Sequence, residues 1–166
     1  MSKIRLATEA DLPSIIAIYN AMIAGRRVTA DLNPVSVASR RAWFEAHEPD
    51  RHPLWVWEEP DGVAAWLSYQ AFYGRPAYDA TAEVSIYVAS RHQRRGLGRV
   101  LLAEAITHAP KLGLRTLLGF IFGHNEPSLR LFESHGFARW GHLPRVAELD
   151  GIERDLIIVG RRTEQP

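Results

Sequence analysis

The chain opens on a short alternation, Ile4-Arg5-Leu6-Ala7, with apolar residues on either side of an arginine, as a half-buried strand requires. Thr8 and Asp11 then stand at capping-box spacing, with Asp replacing the usual Glu. Pro13 falls in the first helical turn, where its missing N–H is tolerated. Leu12, Ile15, Ile16, Tyr19, Met22 and Ile23 recur at helical spacing, and Gly25 is the expected stop. A polar loop, residues 26–31, leads through Asn33-Pro34 to a second helix expected at 36–47, with Val37, Trp43 and Phe44 inward. Leu54-Trp55-Val56-Trp57 begins a hairpin whose turn is Pro60-Asp61-Gly62 and whose return strand is 63–72. Turn formers and aromatics fill 73–79, and an alternating strand follows at 82–88.

After that strand come a basic, glycine-marked loop and a helix running to about Leu112, with Gly113 as its stop. An apolar strand at 114–122 and a short helix opened by Asn125-Glu126-Pro127-Ser128 and closed at Gly136 come next. Strands at 137–143 and 153–160, turning near Asp150-Gly151, end the pattern. Early strands are joined by hairpins and later ones by helices, so a doubly wound dinucleotide fold is disfavoured. The expectation is one α/β (α+β) domain over residues 1–166, a mixed sheet flanked by helices.

Composition narrows the function classes. Twenty Lys and Arg against 19 Asp and Glu leave a net charge of +1, which gives no global attraction to nucleic acid or to a membrane surface. With no cysteine there is no disulfide, thiolate metal site or cysteine nucleophile, and no metal is expected. The Met1-Ser2-Lys3 start and the lack of a long apolar run point to a cytoplasmic protein.

The chemistry concentrates after residue 82. Gly96 and Gly98 remove Cβ atoms at a helix start, while Arg91, Arg94, Arg95 and Arg99 add positive charge. Convergent N–H groups at a helix N-terminus suit a phosphate-bearing ligand. No Gly-Lys-Ser/Thr follows, so this is not a Walker loop, and the third glycine of a dinucleotide fingerprint is missing. Taken alone, the Gly-x-Gly also reads as a basic surface turn.

Gln93-Arg94-Arg95-Gly96-Leu97-Gly98, preceded by a strand ending Tyr87-Val88, resembles the acetyl-CoA motif of the GCN5-related N-acetyltransferase (GNAT) superfamily. Asn125-Glu126-Pro127-Ser128 with Leu131 and Gly136-Phe137 resembles its second cofactor motif. Ile18-Tyr19-Asn20, Arg41-Ala42-Trp43-Phe44, residues 82–88 and Asp150-Gly151 look like the phosphinothricin acetyltransferase subgroup, although Arg26-Arg27-Val28-Thr29-Ala30-Asp31 departs from its strictest members. The resemblance implies a seven-stranded, mostly antiparallel mixed sheet with about four helices, splayed between the fourth and fifth strands. It implies acetyl-CoA as co-substrate, a homodimer, and acetyl transfer to the α-amine of an amino-acid analogue of the phosphinothricin or methionine sulfoximine type. It also implies that the amides of Arg94, Arg95, Gly96, Leu97, Gly98 and Arg99 hold the pyrophosphate. Ile86, Tyr87 and Val88 would pair with the pantetheine arm, and Asn125 and Ser128 would contact the cofactor.

Glu83, at the head of the strand leading there, is the candidate base, since a carboxylate in a partly apolar cleft acquires a raised pKa. Its competing role is a rim carboxylate paired with an arginine such as Arg75. Arg75 and Arg27 match a substrate carboxylate or phosphinate, with Thr29, Tyr73 and Tyr78 completing the pocket and Trp66 a candidate floor. The superfamily's usual acid position, seven residues after Asn125, holds Phe132, which has no proton to give. Tyr87, His124 and His135 remain as alternatives, as does unaided departure of the thiolate. Acetylation of a protein N-terminus or a polyamine, or a catalytically weak CoA-binding module, are the competing functions.

Overall fold

A computed structural model of the chain describes residues 4–163. Met1, Ser2, Lys3 and the last three residues of the expected single domain lie outside the described residues. Strand β1 (Ile4–Leu6) leads through a 3₁₀ turn into helix α1 (Leu12–Ile23), followed by α2 (Val37–Glu45) and the hairpin β2 (Leu54–Glu59)–β3 (Gly62–Ala71). Then come β4 (Thr81–Val88), α3 (Leu97–His108), β5 (Thr116–Phe122), α4 (Glu126–Glu133) and the hairpin β6 (Ala138–Leu149)–β7 (Ile152–Arg162). Among the described residues no helix is long and apolar enough to cross a membrane.

Seven strands form one sheet in the order β1-β2-β3-β4-β5-β7-β6. Every neighbouring pair is antiparallel except β4 and β5. Helices α3 and α4 cover one face through Leu101, Leu102, Ala105, Leu129 and Phe132, packed on Leu67, Tyr69, Val84 and Leu117. Helices α1 and α2 cover the other through Ile15, Ile18, Trp43 and Phe44, on Val56 and Trp66. Two buried hydrogen bonds fix these layers: Tyr69 Oη donates to the Ala105 carbonyl at 2.8 Å, and Trp66 Nε1 to that of Ile15 at 3.1 Å.

Three of the differences from the expected boundaries have a local backbone cause. Helix α1 ends at Ile23, and the reversal falls on Arg26 at φ 50°, not on Gly25. Helix α3 gives way to a 3₁₀ turn over Ala109–Leu112, where Pro110 has no N–H to continue the ladder. Strand β6 runs on to Leu149 because a register shift between Leu143 and Ala147 absorbs Pro144 and Arg145.

Candidate active site

Strand β4 carries two features, one at each end. At its far end the chain turns into α3 through Arg94 at φ 61° and Gly96 at φ 81°, a left-handed conformation that favours glycine. The first helical amide to bond back is that of Val100, to the Gly96 carbonyl at 3.1 Å. A helix leaves its opening N–H groups without internal acceptors, and no loop carbonyl among the described residues receives those of 94–99. A Cβ on Gly96 would meet nothing within 4 Å, so the approach is open. Arg91, Arg94, Arg95 and Arg99 are exposed around it. The turn therefore has the donors, charge and access that a pyrophosphate requires. Asn125, buried as the N-cap of α4, accepts the Ser128 amide at 3.4 Å, so its carbonyl oxygen shapes the helix start and its amide nitrogen carries no bond to another described residue.

At the near end β4 parts from β5. The parallel pairing covers only Thr81 with Thr116, Ala82 with Leu117 and Glu83 with Leu118. Beyond Glu83 the two strands splay. Ala89 N–H bonds to the Ala64 carbonyl on β3, whereas the Ala80 carbonyl receives amides from β5. By strand alternation the backbone of Glu83, Ser85 and Tyr87 faces β3, and that of Ile86 and Val88 faces the opened gap. Ile86 and Val88 thus present N–H and C=O groups to the gap, while the side chain of Tyr87 lies on the face of the sheet.

That side chain shares a cavity of about 180 Å³ with Glu83. Its floor is a ladder of cross-strand partners on one face of the sheet, Gln70 with Glu83, Ser68 with Ser85 and Trp66 with Tyr87. Ile16 and Tyr19 of α1, with Arg40 and Trp43 of α2, wall it. The rings of Trp66 and Tyr87 stack at 4.4 Å, and those of Trp43 and Trp66 meet edge-on at 5.5 Å. Glu83 has no side-chain hydrogen bond or ion pair with another described residue, and burial raises its pKa above the ordinary carboxylate value. The expected alternative, a pair with Arg75, is not formed. Burial first, with Tyr19 and Glu83 adding, pushes the Tyr87 phenol well above its usual value. Arg40 is engaged: Nη2 donates to Asp31 at 2.6 Å, and its guanidinium lies 5.2 Å from the centroid of the Tyr19 ring.

The other expected site residues lie around this cavity. Thr29 is buried, its hydroxyl bonded to that of Tyr19, which also donates to Asp31. Arg27 is exposed on the same loop. That loop is pinned by His124 Nε2 on the Arg26 carbonyl at 2.7 Å and by Arg26 on Asp150 at 2.8 Å. Arg75 is exposed on the β3–β4 connection, just past the Gln70–Glu83 rung, with no partner among the described residues. Tyr73 and Tyr78 gather there with Phe72, which also stacks on Phe120 of β5 at 6.4 Å. Of the alternative acids, His124 is tied to Arg26 and His135 Nδ1 to the Leu131 carbonyl at 2.8 Å. Phe132 is core, against Phe137 at 4.9 Å.

Sequence reading missed Arg40, Ser68, Gln70 and Ser85 as cavity residues. The signal was present: Ser68 and Gln70, like Glu83 and Ser85, put polar groups at period two into central strands that would otherwise be apolar on both faces. Among the described residues no group of three or more His, Asp or Glu is placed to hold a metal.

The geometry has close counterparts among known proteins. "Putative phosphinothricin acetyltransferase YwnH" of Bacillus subtilis is 55% identical over 95% of this chain and 97% of its own length. An L-methionine sulfoximine/L-methionine sulfone acetyltransferase of Pseudomonas paraeruginosa is 33% identical over 93% and 91%. The structure of yncA from Salmonella typhimurium, solved with its cofactor acetyl-CoA, superposes with a TM-score of 0.90 at 31% identity, covering 98% of this chain and 94% of that one. The sequence model of the acetyltransferase (GNAT) family matches residues 17–137. A splayed sheet, an amide-rich turn at its mouth and these matches lead to one conclusion: the chain is an acetyl-CoA-dependent N-acetyltransferase and belongs to the GNAT family.

Proposed function

We propose that this enzyme acetylates the α-amino group of a small amino-acid-like acceptor of the methionine sulfoximine or phosphinothricin type, with Glu83 taking the proton of the amine. The observation that carries the reading is a desolvated, unpaired carboxyl lining a cavity of about 180 Å³ at the point where β4 leaves β5. Drug-sized sites run from about 300 Å³ upward, so this one suits an amino acid better than a folded peptide segment. The names of the relatives from B. subtilis and P. paraeruginosa agree with that scale.

Acetyl-CoA supplies the acetyl group as a thioester. Its pyrophosphate is assigned to the 94–99 amides, and its arm to the gap-facing backbone of Ile86 and Val88 beside Tyr87, with Asn125 and Ser128 closing the cofactor side. The acceptor arrives as an ammonium and gives one proton to Glu83, which passes it to water. The neutral nitrogen then bonds to the carbonyl carbon, the C–S bond breaks, and the amine's second proton leaves by the same route. Negative charge building on the carbonyl oxygen is met by the backbone N–H of Val88, a donor type typically contributing about 3 kcal/mol. The sulfur departs as a thiolate and takes a proton from solvent, since a thiol with a pKa of about 8.5 leaves without a side-chain acid.

Arg75, whose guanidinium has no other partner among the described residues, takes the acceptor carboxylate at the cavity rim, with Arg27 adding charge across the mouth. Tyr73 and Tyr78, clustered with Phe72, wall the acceptor side chain. Thr29 acts through Tyr19, which it holds in place. The enzyme is read as a cytoplasmic homodimer pairing through the β6–β7 hairpin, where Trp140, Val146 and Ile152 are all more than half exposed. Sedimentation would test that pairing.

Thiol release from acetyl-CoA over a panel of amino-acid analogues, peptides and polyamines tests the assignment. Turnover of methionine sulfoximine or phosphinothricin well above the rest is expected. Preference for peptides or polyamines overturns the acceptor class, and no turnover with any of them favours a weak CoA-binding module. Arg75→Ala should raise KM about tenfold for an amino acid and leave it unchanged for the decarboxylated amine, the size of one charge-assisted hydrogen bond. Equal increases would remove Arg75 from the carboxylate.

A further inference from the structure

His92 is buried, at 6% exposure, in the short turn between β4 and the amide cradle, a position with no role in acetyl transfer assigned above. Arg95 Nη1 lies 2.7 Å from its Nδ1. A guanidinium only donates, so Nδ1 must be the acceptor and the ring proton of the neutral imidazole must sit on Nε2. Nε2 has no hydrogen-bond partner, yet a carboxylate oxygen of Asp61 stands 3.8 Å away. Asp61 belongs to the β2–β3 turn, and it also pairs with Arg91 at 3.1 Å. The β2–β3 hairpin tip thus meets two adjacent residues, Arg91 and His92, of the turn that precedes the cradle.

We propose that His92 is a positioning residue for the cofactor loop: its Nδ1 lone pair holds the Arg95 guanidinium against the loop, and the nearby negative charge of Asp61 favours the tautomer with the proton on Nε2. The proposal rests on the reading of residues 94–99 as the pyrophosphate site. The physical reason is local. Arg94 is held at φ 61° and Gly96, two residues on, at φ 81°, so the backbone here depends on contacts outside any helix or strand. Anchoring Arg95 between them selects one loop shape before the ligand arrives. One of its five donors is used on His92, and the others remain for phosphate oxygens.

Calorimetric titration of a set of variants with CoA, and with pantetheine, which lacks the pyrophosphate, decides it. His92→Leu should weaken CoA binding about tenfold, as loss of a charge-assisted hydrogen bond does, and leave pantetheine binding unchanged. His92→Asn, whose side-chain oxygen can accept where Nδ1 did, should recover most of that affinity. Asp61→Asn, on an exposed turn where misfolding is not a concern, should weaken CoA binding about threefold. In steady state the loss should fall on KM for acetyl-CoA, with kcat and the acceptor KM retained.

Arg95→Ala separates the two levels of the claim. If it weakens CoA, and His92→Leu adds nothing to it in the double variant, the relay holds. If the two losses are additive, or His92→Leu binds CoA as the parent does, the relay is wrong although the cradle stands. If Arg95→Ala and Gly98→Val both leave CoA affinity intact, the cradle reading itself falls.

Discussion

Replacing Glu83 by Gln separates catalysis from stability at one atom. The side chain lines the cavity, forms no hydrogen bond or ion pair with another described residue, and has its pKa raised by burial alone. Gln preserves shape and burial while removing both the charge and the basic site. General bases contribute about 10²–10⁴ in rate, so kcat/KM should fall by about that factor, equivalent to about 3–5 kcal/mol of barrier. The pH profile is the sharper readout. An α-amine with a pKa near 8 is about nine-tenths protonated at pH 7. With Glu83 as the base, the parent would accept the ammonium and deprotonate it in place, so its kcat/KM should plateau once Glu83 has ionised. The variant can use only amine already neutral in solution, so its kcat/KM should climb about tenfold per pH unit until the amine's own pKa. The deficit therefore narrows as pH rises. Parallel profiles for the two proteins would refute the assignment of Glu83 as the base.

Stability should move the other way. A group whose folded pKa lies above its unfolded value contributes fully below the unfolded pKa and loses that contribution as pH rises through the folded one. For Glu83 the loss is the cost of ionising a half-buried carboxyl. Glu83→Gln should therefore have a Tm at pH 8 no lower than the parent, with the difference closing as pH falls through the raised pKa. A large drop in Tm at pH 8 would mean that the carboxylate holds the fold together, contrary to its unpaired state here.

Two further substitutions probe the frame. Asp11 accepts from Arg5 at 2.7 and 2.9 Å and from the Thr8 amide at 2.8 Å, and these bonds, the arginine's first, lower its pKa to about 2. Asp11→Asn should cost about 1–2 kcal/mol at pH 7, after allowance for the exposed half of the pair, and thermal melts should show the deficit vanishing as pH falls from 4 towards 2. Gly119 leaves room for a ring: a Cβ there would lie 2.9 Å from Phe132 Cε1 and 3.0 Å from Val159 Cγ2, both in the core. Gly119→Ala should cost about 1–3 kcal/mol in urea unfolding, and adding Phe132→Leu should recover part of it.

How much of this was legible depended on how local each signal is. The junction from β4 to α3 could be read because its chemistry lies in consecutive residues, and a left-handed turn before a helix leaves glycine in the sequence. Glu83 was legible as an acidic residue at the head of an apolar strand. The cavity was not, because Tyr19, Arg40, Gln70 and Glu83 come from four elements that only packing brings together. Nor was the tie from Asp61 to His92, since thirty-one positions separate them and Asp61 reads from sequence as a turn former. Strand β6 was cut short because Pro144 looks like a terminus until the bulge that absorbs it is seen.

Phe132 is the position at which the sequence departs from the motif it resembles. Missing the family's usual proton donor, it suggested decayed chemistry. In the fold its ring fills the space that Gly119 leaves on β5 and meets Phe137 edge-on at 74°, so the position is a core contact in its own right. A residue that packs there tells of the layer between β5 and α4, and says nothing against proton transfer on the opposite face of the sheet. The polar ladder of β3 and β4 lies on that opposite face. The carboxyl proposed as base for the incoming ammonium, Glu83, lies on that face, at the last residue of β4 before the strands part.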